Sequence, residues 1–295
     1  MHHTTATLSI FLLVGLVPAL NRAEAKPPKP VVAPALTAAQ GPGDLLVSPS
    51  RVVFDMRKRT AALNLSNIGA SEATYRISLV RMEMDEDGGL MEVPLDKTPG
   101  AVNLPSLIRF SPREVTLGAK EAQTIRLQVR KPAGLPPGEY RIHMMFRAIP
   151  PTAEASKEPI QGERAKGISV KLIPVYGLAI PLIVHQGETS AKTTLTGLTF
   201  DSTSPNLRFH LDRQGNQSVF GDLKVTWTPR GGATITVAEA SGVAVYVPNT
   251  TRKIAMPLAA LKGAATYRGG RLKVTFSLPP TEGGKGLGEA ILDLP

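Results

Sequence analysis

The sequence predicts an all-β protein built from two sandwich domains. Three observations predict it. Short apolar segments alternate with Gly, Pro and Asn turn signals along most of the chain. No long helical periodicity interrupts them. The length of 295 residues suits two sandwiches of about 100 residues each, with room for an export segment and linkers. Apolar residues make up 42% of the chain and aromatics only 5%, so the two cores draw mainly on Val, Ile and Leu.

In chain order, residues 8–20 (LSIFLLVGLVPAL) form an apolar run too short to cross a bilayer, which needs about 20 residues. Ala23-Glu24-Ala25 follows, with small residues at the two positions that signal peptidase reads. This predicts a signal peptide over 1–25, cleaved after Ala25, and a mature chain without stable membrane insertion. Residues 26–43 are rich in Pro and Ala and read as an extended linker. A first sandwich is expected over 44–185. Its strands are expected at 46–54, 60–66, 74–83, 107–111, 114–117, 122–130, 138–149 and 167–184. The turns between them are marked by Asn67-Ile68-Gly69, Asp87-Gly88-Gly89 and Leu135-Pro136-Pro137-Gly138. A second sandwich is expected over 186–295, with strands at 192–200, 206–213, 222–228, 234–238, 243–246, 253–257, 271–277 and 290–294.

The charge balance and the motif census exclude several kinds of chemistry. There are 34 Lys+Arg against 24 Asp+Glu, a net charge of +10, yet the bases are dispersed and do not alternate with aromatics. That pattern argues against a nucleic-acid platform and for solubility or steering of an acidic partner. No cysteine is present, so stability rests on ordinary cores, and thiol chemistry and Cys-ligated metals are excluded. After residue 25 the only histidines are His143, His185 and His210, without metal-ligand spacing. The glycine-rich 283–288 stretch lacks the following helix that a phosphate cradle needs. Asp85-Glu86-Asp87-Gly88-Gly89 lacks the rest of a calcium loop. No cofactor, no metal and no enzymatic constellation is expected.

Two segments stand out. In 48–55 (SPSRVVFD) an apolar strand carries Arg51 in its middle, and a buried cation has to snorkel or meet an anion. The segment 167–184 (GISVKLIPVYGLAIPLIV) is almost wholly apolar but holds Pro174 and Pro181. Proline confines a strand to a sheet edge or a bulge. A long greasy edge is an aggregation hazard unless its ordinary condition is to pair with another protein's strand. The alternative is a strand that merely crosses between domains.

Together with TAALNLSN (60–67), FSPREVTLGAKEAQTIRLQV (110–129), LPPGEYRIHMMFRAIPP (135–151) and LRFHLDRQGNQSVFGDLKV (207–225), these segments resemble the periplasmic pilus-assembly chaperones over about 45–295. The most specific piece resembles that family's "LP..RE…..IPP" signature. The resemblance implies two immunoglobulin-like β-sandwich domains in a boomerang arrangement with a cleft between them. It implies a periplasmic chaperone that lends its long strand to pilus or fimbrial subunits by donor-strand complementation. The chaperone would then deliver them to an outer-membrane usher. Ile168, Val170 and Leu172 alternate and would fill the subunit groove. Arg51 matches the first anchor for the subunit's C-terminal carboxylate, and a guanidinium fork suits that group. The second anchor, a lysine five or six residues before a proline, falls at Val175 or Tyr176 when counted from Pro181. Lys171 is therefore the nominated base and Tyr176 a neutral donor. Ile180 stands where the family has a cross-domain arginine, whose glutamate partner matches Glu139. The short polar stretch 150–166 favours the short-loop kind of chaperone. The rival reading is an exported structural protein of a secretion or adhesion apparatus, with 167–184 as interdomain packing.

Overall fold

The computed structural model describes residues 44–95, 102–150, 175–261 and 267–295. All belong to one compact unit, Gln40–Pro295. Among the described residues the only helical pieces are two short 3-10 turns, Leu104–Leu107 and Pro280–Glu282.

The first sandwich pairs a sheet of β1 (Leu45–Ser48), β3 (Thr60–Asn67), β8 (Ala122–Val129) and β6 (Ile108–Ser111) with a second sheet. That second sheet runs β2 (Val52–Phe54), β10 (Gly177–Gln186), β9 (Gly138–Ile149), β4 (Ala73–Met84) and β5 (Leu90–Val93). β7 (Glu114–Leu117) pairs with β4 off this path. The order is that of an immunoglobulin-like domain. Alternation decides the layers. Leu63 and Leu65 of β3, Ile125 and Leu127 of β8, Ile142, Met144 and Phe146 of β9, and Ile180 and Leu182 of β10 share one core. The Tyr140 hydroxyl donates to the Pro136 carbonyl at 2.8 Å, tying the start of β9 to the turn before it. Asn67 is buried and its amide donates to the carbonyls of Ser71, Leu117 and Gly118.

The second sandwich pairs β11 (Ala191–Asp201), β12 (Asn206–Gly215) and β15 (Thr251–Pro257) with a sheet ordered β14 (Ile235–Val245), β13 (Val219–Thr228), β16 (Gly270–Ser277), β17 (Gly286–Leu294). Its separate core includes Phe209, Leu223, Val225, Trp227, Val274 and Phe276. The fold class is therefore all-β, with two immunoglobulin-like sandwiches.

Three elements differ from the sequence reading. The segment 46–54 is not one strand: it breaks after Ser48, β1 joining β3 and β2 running parallel to β10 in the opposite sheet. The proline that follows Ser48 lacks the donor a continuous ladder would need. Residues 234–238 and 243–246 are one strand, β14, whose pairing with β13 shifts register between Gly221 and Leu223. Strand β5, absent from the expectation, completes a hairpin around the Asp87-Gly88-Gly89 turn.

Candidate functional site between the sandwiches

The outward face of the β2-β10-β9-β4 sheet is where the first sandwich meets the second. Register places Val53 beside Ile183 and Ile183 beside Arg141. One row along, Pro181 sits beside His143 and the lane of β2 is entered by Arg51. These positions point away from the first core, because Ile180, Leu182, Ile142 and Met144 point into it. Val53 and Ile183 meet Met84, Phe220, Ala244 and Tyr246 in a third, smaller apolar cluster that spans both sandwiches.

Arg51 is thus turned into the groove between the domains. Its side chain is 15% exposed, stacks 4.6 Å above the Phe220 ring and reaches Glu282 Oε1 at 3.4 Å. Its Nε is buried without an acceptor. The Glu282 contact is long and that carboxylate is half exposed, so it contributes at most about 1 kcal/mol. Arg141 stacks 4.2 Å above the Tyr246 ring, and its guanidinium donates to His143 Nε2 at 3.5 Å and to the Val247 carbonyl at 3.4 Å. Burial, with Arg141 beside it, pushes His143 down to about 3. His143 is therefore neutral, and since Arg141 can only donate to Nε2 the proton lies on Nδ1, which has no acceptor. A cleft of about 650 Å³ lined by Arg81, Glu83, Tyr140, Arg141 and Val247 opens on this junction.

Glu139 lies at the far end of the same face. Its buried carboxylate accepts from His185 Nε2 at 3.2 Å, from the Ser218 backbone N–H at 2.8 Å and from the Ser218 hydroxyl. Burial alone would raise its pKa, but the bonds from His185 and Ser218 outweigh that and hold the group below its ordinary 4.5. Glu139 therefore bonds the second sandwich through Ser218, a partner the sequence does not announce. Two further links join the domains: Asn249 Nδ2 donates to the Met84 carbonyl at 2.8 Å, and the Lys253 N–H to the Glu86 carbonyl at 2.7 Å.

β10 carries the other part of the site. β9 pairs with it from Gly177 to Gln186, but β2 covers its second edge only from Leu182 to Val184. Among the described residues, Gly177 to Pro181 therefore have one edge open. Ala148 N–H donates to the Tyr176 carbonyl. Alternation then turns the backbone groups of Val175, Gly177 and Ala179, and the nitrogen of Pro181, toward the open side. Pro181 thus costs β9 no bond. Leu178 faces the same way as buried Ile180, yet is 39% exposed, and Tyr176 and Val175 are 50% and 53% exposed. The strand runs past the end of its own core.

Of the residues singled out from the sequence, Arg51 and Glu139 share one sheet face. Tyr176 is not brought to Arg51. It lies five residues before Pro181, about 16 Å along the strand. Ile168, Val170, Lys171 and Leu172 lie outside the described residues. Sequence reasoning missed Arg141, Phe220 and Tyr246. The only signal was the Arg141-x-His143 spacing, which puts two polar side chains on one face of an otherwise apolar strand.

No protein-family model and no curated protein sequence matches this chain. Solved structures do resemble it. The fold is similar to that of the YadV chaperone, at 14% identity and a TM-score of 0.43, covering 85% of this chain and 100% of that one. It is similar to the CupB2 chaperone of Pseudomonas aeruginosa, at 13% identity and a TM-score of 0.40, covering 84% and 99%. It is similar to the CsuC–CsuE chaperone-tip adhesion subunit pre-assembly complex of Acinetobacter baumannii, at 14% identity and a TM-score of 0.41, covering 85% and 97%. Likenesses this distant carry nothing about function, which has to come from the chain's own residues.

Proposed function

We propose that this chain is a chaperone that caps pilus-type subunits after export by lending them a β-strand. The observation that carries the reading is the open apolar edge of β10 beside a groove into which Arg51 points. Val175, Gly177 and Ala179 offer backbone donors and acceptors to an incoming strand, while Tyr176 and Leu178 offer apolar surface. Burying such a side chain stabilises a complex by about 1.5–3 kcal/mol. Ile168, Val170 and Leu172, which alternate in the sequence, are the residues proposed to fill the subunit's groove. Arg51 anchors the subunit's terminal carboxylate, Lys171 being the other base proposed from the strand. The signal peptide over 1–25 takes the chain to the periplasm, the linker over 26–43 precedes the sandwich domains 44–185 and 186–295, and an outer-membrane usher receives the capped subunit. No step requires a cofactor or a catalytic group.

The test is co-expression with a fibre subunit that lacks the last strand of its own sandwich. Wild type is expected to yield a soluble one-to-one complex, and Arg51→Ala to lose most of it. Unchanged recovery with Arg51→Ala removes the anchor role. No complex with the wild type removes the chaperone reading.

A further inference from the structure

Strand pairing gathers bases that are dispersed along the chain onto the β1-β3-β8-β6 side of the first sandwich, away from the second. Leu63, Leu65, Phe110, Ile125 and Leu127 point into the core, so the residues that alternate with them in β3, β6 and β8 point outward. Register lays these out in rows: Thr60–Gln128–Arg109, then Ala62–Arg126–Ser111, then Ser48–Asn64–Thr124. The ladder runs on past Thr60, since the Val129 N–H donates to the Arg59 carbonyl and the Arg130 N–H to the Leu107 carbonyl. That adds a row with Lys58 beside Arg130. Arg109 thus has Arg126 and Arg130 as its two diagonal neighbours on β8, each about 7–8 Å away. Those two lie about 13 Å apart along the strand.

Lys58, Arg109, Arg126 and Arg130 are all exposed, and among the described residues none of them makes an ion pair or a side-chain hydrogen bond. No carboxylate stands at an outward position of β1, β3, β8 or β6. The acids nearest in the chain are engaged beyond the ends of the face. Asp55 accepts from the backbone N–H groups of Arg57 and Lys58 and lies in the field of His185 of the opposite sheet, and Glu121 accepts from the Gly118 N–H. Like charges on neighbouring strands weaken a sheet, and anions outside the protein relieve that repulsion. A trough of about 630 Å³ is bordered by Arg109 and Arg126, with the small side chains of Thr60, Ala62 and Ser111 leaving the room.

We propose that this face docks, weakly and reversibly, on a bilayer surface that carries anionic phospholipid head groups. The strands hold the bases apart, so they do not converge on a single anion. An array of separate cations fits an array of separate phosphodiesters, each of which an arginine meets with two N–H bonds. The trough gives one such head group a place between Arg109 and Arg126. A protein partner finds no core here: Leu46, at the far corner, is the one large apolar side chain that points outward, and protein interfaces centre on anchors packed into desolvated pockets. A nucleic acid finds no outward aromatic ring on which to stack its bases. Attraction to anionic lipid needs neither, and each cation near the surface raises affinity about fivefold. Binding of that strength leaves the chain in exchange between solution and surface. The β10 edge and Arg51 belong to the opposite sheet, so docking leaves them uncovered and does not depend on the subunit reading.

The test is co-sedimentation of the mature chain with vesicles of phosphatidylcholine alone and of phosphatidylcholine doped with phosphatidylglycerol. Binding is expected only to the doped vesicles. It is expected to fall steeply with salt, as the screening length contracts from about 30 Å at 0.01 M to about 8 Å at 0.15 M. Arg109→Gln combined with Arg126→Gln is expected to weaken it about 25-fold, two steps of fivefold. Lys224→Gln combined with Arg271→Gln removes the same charge from the second sandwich, where both bases already pair with carboxylates, and is expected to leave binding nearly unchanged. All four side chains are exposed, so an unchanged melting temperature is expected in both double variants. Equal loss in the two double variants makes net charge the cause and overturns the assignment to this face. Equal binding to undoped vesicles, or none to doped vesicles at low salt, overturns the docking. Tighter binding of polyglutamate, with the same sensitivity to Arg109→Gln and Arg126→Gln, assigns the face to an acidic protein and overturns the lipid partner. Recovery of a subunit complex is expected to be unchanged in the first double variant, so a failure of docking and a failure of the chaperone reading stay distinguishable.

Discussion

His143 gives the sharpest test of how the interdomain face is built. Its side chain is buried, and its pKa is pushed from 6.5 down to about 3 by burial and by Arg141. The folded pKa is depressed, so the stability tied to neutral His143 is fully present above 6.5 and is lost as pH falls toward 3. Each pH unit inside that window removes about 1.36 kcal/mol. Between pH 6.5 and 5 the folded state should therefore lose about 2 kcal/mol through this residue alone. Glu139, held below 4.5, titrates under that interval and does not confuse it. His143→Leu removes the titrating group and the orphan Nδ1 together. Urea unfolding at pH 7, 6 and 5, followed by far-UV circular dichroism and by the fluorescence of the lone Trp227, reads the difference. The wild-type midpoint should fall steeply and that of His143→Leu only slightly, so that the variant is the more stable protein at pH 5. Parallel loss of stability in the two proteins would refute the assignment of a buried neutral imidazole.

Leu178→Asp places a charge on the open stretch of β10 and should abolish the subunit complex while shifting the melting temperature little, since the side chain is already 39% exposed. Asn67→Ala strips three carbonyls of their donor and the Gly69 N–H of its acceptor, and should cost about 3 kcal/mol in urea midpoint terms. Glu139→Ala strands the Ser218 N–H and the His185 donor and should cost about 3–5 kcal/mol. It should also split the Trp227 transition from the circular dichroism transition, because it cuts a bond between the domains. In the wild type the contribution of Glu139 is present above pH 4.5 and is lost below it.

Much of the fold is legible in the sequence because each strand repeats a local rule. Alternation in 60–67, 122–129 and 270–277 is regular enough to give both the strand and its buried face. What the sequence hides is set by partners distant in the chain. The break between β1 and β2 depends on which sheet each half joins, and local pattern does not encode that choice. Arg51 is visible as a cation in an apolar strand, but the Phe220 ring beneath it lies 169 positions on. Arg141 reads as an ordinary outward residue of β9 until the second sandwich covers it with Tyr246 and Val247. Counting residues back from Pro181 to find a second anchor presumes that this proline keeps a fixed relation to the groove. The register shows it level with Arg51 itself, which is why Tyr176 ends up far along the strand.

If β10 lends its open edge as proposed, the same register fixes the direction of the strand it would pair with. β2 runs parallel to β10 and occupies the lane opposite β9, beginning with Val52 beside Leu182. The open stretch from Gly177 to Pro181 lies in that same lane, upstream of β2, and Arg51 stands where the two meet. An incoming strand on this edge thus ends against the start of β2. If it ran antiparallel to β10, its N-terminal end would arrive at Arg51, and a cation would face a cation or an unbroken chain. Running parallel, as the proposed function requires, it would deliver its C-terminal carboxylate to Arg51, with Pro181 marking the row at which pairing stops because no donor remains. Links between the domains at Ser218, Asn249 and Lys253 hold the groove at that point before anything binds. The ordering cost is thereby met in folding rather than on association. A subunit whose last strand is followed by even a few extra residues would then be refused at this junction, because the lane ahead is already filled by Val52, Val53 and Phe54.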